Sequence, residues 1–344
     1  MSSLLDLKDL RIEFPTPAGG VAVPVDGVSL SVARGETLAL VGESGSGKSL
    51  TALALLRLVP APGRIHPQSR ILLEGTDLMT LDPAALRAVR GGRIGIVFQD
   101  ASTSLNPTLT IGDQLRETIL AHKKLTKPEA RERAIALLDE TGIPEPGARY
   151  GAYPHELSGG LRQRALIAIA LAGEPDLLIA DEPTTALDVT IQAQILELLD
   201  HLRVSRGMAV LLIAHDLGLV PGRADRVAVM YAGRVVEHGQ KSQVFYDPQH
   251  PYTWGLLGSI PRLDRPRSRR LPTIAGQPPS MLSLPDGCRF RPRCAQAFDR
   301  CAQEDPALAE RGAGHLDACL LTVGQKRERR AATVRPVAAD EESA

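Results

Sequence analysis

One stretch limits the possible folds more than any other. The strand-like segment TLALV (37–41) leads into GESGSGKS (42–49) and then into a run of helix formers that stops at Pro60. The middle segment fits G-x-x-x-x-G-K-[ST], in which glycines let backbone N–H groups surround a phosphate. The N-terminus of the next helix adds positive potential, Lys48 adds a charge, and Ser49 offers a hydroxyl to Mg²⁺. This order predicts a phosphate site in an α/β fold.

Apolar strands and helices alternate along the rest of the first 240 residues. Short buried strands are predicted at 177–181 (LLIAD) and 209–215 (AVLLIAH), with the helix IQAQILELLDHLR between them. KPEARERAIALLDETG and GGLRQRALIAIALAG have the composition of two further helices. Strands that alternate with helices predict a parallel sheet covered on both faces.

Composition narrows the class of protein. The chain of 344 residues carries 40 basic and 40 acidic side chains, and its zero formal charge argues against a nucleic-acid partner. Its start, MSSLLDLKDLRIEF, has no basic stretch followed by an apolar one, and no apolar run approaches the ~18 residues of a membrane span. We therefore expect a cytosolic protein.

Two carboxylates end the strand LLIAD. Asp181 and Glu182 are adjacent at the end of a buried apolar segment, which is costly unless they serve a cation or a water molecule. Our interpretation is that Asp181 faces Mg²⁺ and that Glu182 polarises the attacking water. A solvated pair of strand-end carboxylates is the alternative.

Further motifs complete a recognisable set. LSGGLRQR (157–164), Gln99 in VFQD, TTALD (184–188) and His215 in IAHD occur around the strand-end carboxylates. Each of them alone is ordinary, but in this order and spacing the set resembles the ATP-binding subunits of ABC transporters. The resemblance runs from residue 4 to about residue 240.

The resemblance implies two groups of ATP contacts. In the subunit that binds the nucleotide they are Phe14, Gly42, Ser44, Gly45, Ser46, Gly47, Lys48, Ser49 and Leu50. For ATP held by the other subunit of a dimer they are Ser158, Gly159, Gly160 and Asp188. Phe14 stands where the family places an aromatic ring that stacks on adenine, and a core phenylalanine is an equally good interpretation.

The family also implies the metal and catalytic roles. The implied Mg²⁺ contacts are Ser49, Gln99 and, in the outer shell, Asp181. The implied catalytic residues are Lys48, Gln99, Glu182 and His215. Among them Glu182 is the general base and His215 holds the γ-phosphate. Because LSGGLRQR acts on ATP of the other subunit, hydrolysis is expected only in a face-to-face dimer, which closes on ATP and reopens after hydrolysis.

Longer sequence segments indicate a branch of the family. FQDASTSLNPTLTIGDQL and HPYTWGLLGSIPRLD resemble the ATPases of oligopeptide/dipeptide importers. Ala101, Ala275 and Leu161 depart from that pattern without removing a chemical group. The branch implies a second ATPase subunit, for which it favours a different chain, two transmembrane permeases and an extracytoplasmic substrate-binding protein. It also implies that this chain is peripheral on the cytoplasmic face of a bacterial inner membrane.

Alternatives to peptide import stay open at this point. Nickel chelates, glutathione and opines are carried by the same machinery, because specificity lies in the binding protein and the permeases. An ABC ATPase of DNA repair or translation is a rival of another class, but such proteins usually join two cassettes or insert a long domain. An exporter motor commonly carries its membrane domain in the same chain.

Four cysteines occur only near the C-terminus. Cys288, Cys294, Cys301 and Cys319 form the pattern C-x5-C-x6-C-x17-C, and clustered thiols in a cytosolic chain favour a metal over disulfides. There is no C-x2-C pair of the kind that zinc sites use. The importer branch implies a [4Fe-4S] cluster on these four thiols, with a structural role. Zinc and buried thiols without a metal are the alternatives.

The expected organisation has three parts. Residues 1–240 form a P-loop NTPase of the ABC cassette type, with a RecA-like core, an antiparallel β subdomain and a helical subdomain at about 100–160. Residues 241–323 form a small extension that holds the cysteine-ligated cluster. Residues 324–344, which are charged and nearly free of aromatic side chains, are expected to be disordered.

Overall fold

The protein is described from a computed structural model, which covers residues 3–17, 19–185, 187–260 and 273–333. The strands are β1 Ser3–Pro15, β2 Val21–Ala33, β3 Thr37–Val41, β4 Arg64–Ile65, β5 Arg70–Leu73, β6 Thr76–Asp77, β7 Ile94–Val97, β8 Leu177–Asp181, β9 Ala209–Ala214, β10 Arg226–Tyr231, β11 Arg234–Gln240, β12 Ala309–Gly312 and β13 His315–Asp317. The helices are α1 Lys48–Leu55, α2 Pro83–Val89, α3 Ala101–Ser104, α4 Ile111–His122, α5 Lys127–Glu140, α6 Pro146–Arg149, α7 Gly159–Leu171, α8 Val189–Arg206, α9 Lys241–Tyr246, α10 Pro251–Ser259, α11 Arg300–Gln303 and α12 Val323–Thr333. In these ranges no helix is long and apolar enough to cross a membrane.

The chain forms two compact units. The first holds Ile71–Ile213 together with Ser31–Thr37 and the residues up to Asp6. The second holds Leu7–Leu30, Leu38–Arg70 and the residues from Ala214 onward. Each unit therefore draws on segments that are distant in sequence.

Parallel strands organise the first unit, as the sequence predicted. β7 pairs with β8 and β8 with β9, with Val97 opposite Ala180 and Asp181 opposite Ile213. Helices α3 to α6 occupy the stretch between Ala101 and Arg149, and α7 and α8 form where the sequence predicted helices. The register brings the carboxyl ends of the three strands to one edge, where polar side chains follow the apolar ones.

Helix α1 ends earlier than its composition suggested. The helix formers run on to Pro60, but α1 stops at Leu55 because the chain closes it with a C-terminal cap. The N–H of Leu58 donates to the carbonyl of Leu53, and the N–H of Arg57 donates to that of Ala54. Arg57 takes a positive φ of 50° in this cap, a place usually given to glycine.

The second unit is built on strands of mixed direction. β3 and β10 are parallel, and β10, β11, β13 and β12 follow one another as antiparallel neighbours. Its core includes the rings of Tyr231, Tyr252 and Phe290, whose centroids lie 4.7 to 5.3 Å apart. The region with the cysteines thus contributes strands and a buried aromatic ring to this unit.

The C-terminal tail differs from the expectation in its first part. A helix, α12, covers Val323–Thr333, where disorder was predicted from residue 324. It is held by buried charge pairing, since Lys326 is 1% exposed and its Nζ lies 2.6 Å from Asp317. The rest of the tail, and residues 261–272 of the expected connection, lie outside the described residues. The division at residue 240 stays a prediction.

Candidate nucleotide site

The phosphate loop depends on glycines with positive φ. Gly45 has a φ of 78° and Gly47 of 105°, a region that side chains other than glycine rarely adopt. A Cβ on Gly47 would also lie 2.4 Å from the carbonyl oxygen of Pro24. Gly47 begins α1 without any side-chain cap, so the first turn of this helix presents backbone N–H groups at the loop.

Two buried side chains line the loop from inside. Lys48 is 4% exposed, and its Nζ donates to the carbonyl oxygens of Gly42 (2.7 Å) and Glu43 (3.0 Å). Ser46 is also 4% exposed, and its buried Oγ has no hydrogen-bond partner among the described residues. A buried hydroxyl without a partner is costly, and a phosphate oxygen is the kind of group that would satisfy it.

In the first unit, residues predicted separately come together after β7 and β8. Nε2 of Gln99 donates to Oε2 of Glu182 over 2.9 Å, and the hydroxyl of Thr185 donates to the same oxygen over 3.1 Å. Glu182 has a φ of 46°, and a non-glycine residue in that region costs about 1 to 3 kcal/mol. Such strain at a strand end is typical of functional sites. Asp181, which precedes it, is 6% exposed.

Sequence reasoning did not assign Thr185. Its signal was its place in TTALD, three residues after Glu182. His215 follows directly on β9 and is exposed, and the side chain of Asp216 caps the short turn that comes next.

The signature LSGGLRQR and Asp188 mark the starts of two helices that touch. The hydroxyl of Ser158 caps α7, and Asp188 caps α8 by accepting from the N–H of Ile191 over 3.0 Å. A Cβ on Gly160 would lie 2.9 Å from the side chain of Ile191, so a larger residue here would force one of the two helices or Ile191 to shift. Ser158 and Asp188 are exposed, and their contact with ATP of a second subunit stays a prediction.

Phe14 lies against a backbone turn. Its ring edge would be 2.4 Å from a Cβ on Gly63, so the ring packs on that glycine. The side chain is half-buried, which fits both interpretations given for it, and its contact with adenine stays a prediction.

The four cysteines lie around one small cavity. None of them forms a disulfide, and all four line this cavity together with His250 and Phe290. Burial raises the pKa of Cys294 to about 12 and that of Cys319 to about 11. Within the part of the chain that is described, no group of three or more His, Cys, Asp or Glu side chains is placed to hold a metal ion.

The predicted cysteine-ligated metal extension is therefore not supported by the structure. The physical reason is that the thiols are buried beside apolar side chains: Cys288 and Cys294 pack against the core that contains Phe290. In such surroundings the neutral thiol is favoured over the thiolate, which is the form that binds metal. The donor types fit a metal, but a metal-ligating arrangement of them is not found among the described residues.

Comparison with known proteins agrees with these observations. Residues 25–185 match the family described as "ABC transporter", and residues 236–301 match "Oligopeptide/dipeptide transporter, C-terminal region". The dipeptide transport ATP-binding protein DppD of Bacillus subtilis (strain 168) is 49% identical over 321 residues, which cover 93% of this chain and 95% of that protein. This chain belongs to the ATP-binding subunits of ABC transporters. Members of this family hydrolyse ATP to drive transport.

Other relatives extend the comparison. The oligopeptide transport ATP-binding protein OppD of Escherichia coli (strain K12) is 48% identical over 93% of this chain and 94% of its own length. Among solved structures, the dimeric ATP-binding cassette MJ0796 with ADP and Pi has a TM-score of 0.60 and 27% identity, covering 69% of this chain and 98% of that one. CbiO1 from Clostridium perfringens has a TM-score of 0.60 and 29% identity, covering 71% and 91%. The predicted ABC cassette fold is confirmed.

Proposed function

We propose that this chain is the ATP-hydrolysing motor subunit of an importer that takes up dipeptides and oligopeptides across a bacterial inner membrane. The substrate class is supported by the match of residues 236–301 to the C-terminal region of oligopeptide/dipeptide transporters. It is also supported by 48–49% identity with dipeptide and oligopeptide transport proteins. Import of a nickel chelate, glutathione or an opine by the same machinery is the alternative.

In the proposed reaction the chain's own groups bind ATP and prepare the water. Lys48 and the N–H groups of Gly45 to Ser49 hold the β- and γ-phosphates, and the hydroxyl of Ser46 gains a partner there. Ser49, Gln99 and Asp181 would hold Mg²⁺, which when bound would supply positive charge that neutralises the phosphates. Phe14 stacks on the adenine.

Glu182 acts as the general base for the attacking water. Gln99 and Thr185 orient its carboxylate, since both donate to Oε2. His215 holds the γ-phosphate. The positive φ of Glu182 supports this role, because the strain fixes the carboxylate at the end of β8 before the substrate binds.

The active form in this proposal is a dimer of cassettes. The similar cassette MJ0796 is a dimer in its post-hydrolysis state. Ser158, Gly159, Gly160 and Asp188 of one subunit then contact the ATP of the other. The second ATPase subunit is a different chain, and two permeases and an extracytoplasmic binding protein complete the importer, with this chain peripheral on the cytoplasmic face.

Uptake experiments test the substrate class. A strain that lacks this chain is complemented with the wild type, with Glu182→Gln, or with Glu197→Gln as a matched control on the exposed side of α8. We expect uptake of labelled dipeptide and tetrapeptide with the wild type and the control, and none with Glu182→Gln. Uptake of glutathione, an opine or nickel chelate without peptide uptake would overturn the peptide assignment.

Affinity purification tests the partners. The tagged chain is extracted from membranes in mild detergent, and the co-purifying proteins are identified by mass spectrometry. We expect two multi-span permeases, a second ATPase and a binding protein. Ribosomal or DNA-repair proteins without a permease would contradict the transport function while leaving the cassette intact.

We also propose a [4Fe-4S] cluster, with zinc as the alternative, on Cys288, Cys294, Cys301 and Cys319. The proposal is supported by the four unbridged thiols around one cavity and by the likeness to the importer branch. Its role is to stabilise the cysteine region. Protein purified without oxygen should contain about four iron atoms and absorb broadly near 400 nm. One equivalent of zinc in colourless protein supports the alternative, and the absence of both metals refutes the site.

A further inference from the structure

The segment 288–294, here called the cysteine turn, reaches the phosphate loop through Arg293. Its guanidinium contacts the carboxylate of Glu43 with both terminal nitrogens, Nη1 at 2.5 Å and Nη2 at 2.9 Å. Glu43 is the second residue of GESGSGKS. A bidentate pair of this kind fixes both charge and direction.

Arg293 is itself held firmly. Its side chain is 4% exposed, and its Nε donates to the carbonyl of Ala275 over 2.9 Å. Its guanidinium lies 5.8 Å from the centre of the Tyr231 ring. An arginine fixed on several sides loses little further freedom when it holds a carboxylate, so the pair with Glu43 is more than a surface contact.

A second link reaches the backbone of the same loop residue. The N–H of Glu43 donates to the hydroxyl of Tyr252 over 2.9 Å. The Tyr252 ring packs against Phe290, which belongs to the cysteine turn, with centroids 5.3 Å apart. The turn thus touches both the side chain and, through one aromatic ring, the main chain of Glu43.

The charge of Glu43 matters for ATP binding. An anionic side chain in a loop that binds phosphates repels them unless a cation neutralises it. Arg293 is the cation paired with Glu43. We propose that Arg293 is a positioning residue that neutralises and holds Glu43, so that the order of the cysteine turn sets the affinity of this subunit for MgATP.

The local structure of the turn explains how its order reaches Arg293. Residues Arg291–Arg293 form one 3₁₀ turn, in which Arg291 donates from its N–H to the carbonyl of Cys288 and Cys294 donates to that of Arg291. Arg293 therefore lies on a turn bounded by two of the four cysteines. Loosening either end displaces the guanidinium and leaves the Glu43 carboxylate without this partner. The inference rests on the proposed ATP site and adds its regulation.

A double-mutant cycle on the full-length chain tests the pair. The dissociation constant of a fluorescent ATP analogue with Mg²⁺ is measured for the wild type, Arg293→Ala, Glu43→Gln and the double variant. We expect Arg293→Ala to weaken binding about fivefold. Glu43→Gln should bind at least as well as the wild type, and Arg293→Ala/Glu43→Gln should return to within twofold of it, because the repelling charge has gone. Arg293→Lys should fall between wild type and Arg293→Ala.

The controls separate this inference from the ATP site itself. Arg300→Ala removes an exposed arginine of the same region that pairs with Glu304, and it should leave binding unchanged. Lys48→Ala should abolish binding. If wild type and Lys48→Ala bind equally, the proposed ATP site is wrong. If Lys48→Ala fails to bind but Arg293→Ala binds like the wild type, or if Glu43→Gln does not rescue Arg293→Ala, the inference on Arg293 is wrong and the site stands.

The role of the turn is tested with Cys294→Ser in two backgrounds. In the wild-type background we expect a several-fold loss of affinity that resembles that of Arg293→Ala. In the Glu43→Gln background the same substitution should have almost no effect on affinity. Equal losses in both backgrounds, with far-UV circular dichroism unchanged, would show that the turn does not act through Glu43.

Discussion

The phosphate loop and the cysteine turn lie in the same compact unit but are stabilised in different ways. The loop is shaped by its own backbone: Gly45 and Gly47 take positive φ, and Lys48 donates to carbonyls of the loop that it follows. The cysteine turn is held by side chains from far along the chain. Arg289 pairs with Asp26 and Arg293 pairs with Glu43, 250 positions away. The phosphate loop is therefore stabilised by local backbone geometry, and the cysteine turn by tertiary contacts.

This difference indicates where a substitution can alter function without altering stability. A loop whose shape depends on its own glycines is destabilised when one glycine is replaced. Its functional side chains, by contrast, can be changed while the fold stays intact. A region held by long-range charge pairs loses stability when one partner is removed. The four predictions below contrast these outcomes.

The largest effect is expected for the proposed base. Glu182→Gln keeps the shape of the side chain and its contacts but removes the proton acceptor, so ATP turnover by the assembled transporter should fall about a thousandfold. The thermal midpoint should stay within about 2 °C of the wild type. Phosphate release and calorimetry measure the two quantities. Glu197→Gln, on α8, is the control, and turnover retained in Glu182→Gln would remove this residue from the mechanism.

The sequence alone predicted where the phosphate loop and the strand β8 lie, because both depend on local patterns. The phosphate loop, β8 and α7 each follow from a short local pattern, so pattern alone locates Lys48, Glu182 and Ser158 along the chain. The bond between Gln99 and Glu182, by contrast, joins residues 83 apart and needed the structure. No local pattern predicts that α12 forms, because its stability comes from pairing with Asp317 in another element.

A substitution of Lys326 tests how much a tertiary ion pair contributes to stability. Lys326 and Arg311 both pair with Asp317, which is fully buried. Lys326→Met leaves that carboxylate with only Arg311 among the ion-pair partners that the structure describes, and the free energy of unfolding should drop by about 3 kcal/mol in urea denaturation. The exposed Lys124→Met is the control, and the double variant Lys326→Met/Asp317→Leu should recover at least half of the loss. A disordered tail would give no loss.

Gly47→Ala tests the backbone side. The substitution places a side chain at a φ of 105° and 2.4 Å from the carbonyl oxygen of Pro24, so strain and overlap add to about 2 kcal/mol of destabilisation. Gly75→Ala has a φ of 80° with nothing within 4 Å, so it carries the strain alone and should cost about 1 kcal/mol. Urea denaturation of both variants gives the difference. Equal costs would mean that the approach of Pro24 does not constrain the loop.

The smallest effect concerns pH and the sheet beneath the cysteine region. Burial and the neighbouring Arg226 and His315 lower the pKa of His238 from 6.5 to about 4, and Nη2 of Arg226 lies 3.0 Å from its Nε2. The unfolded chain therefore takes up this proton more readily than the folded chain. The stabilisation is complete above pH 6.5 and is lost as the pH falls towards 4.

Between pH 7 and pH 5 the wild type should lose about 1 kcal/mol more stability than His238→Gln, after allowance for the partial exposure of the imidazole. Urea denaturation at the two pH values measures this, with the exposed His201→Gln as control. If His238→Gln loses stability with acid as the wild type does, the acid sensitivity of the second unit lies elsewhere. If the difference appears, the stability of β11, which contains His238, depends on charges contributed by its neighbours, as does that of the cysteine turn. The phosphate loop, in contrast, depends on its own backbone.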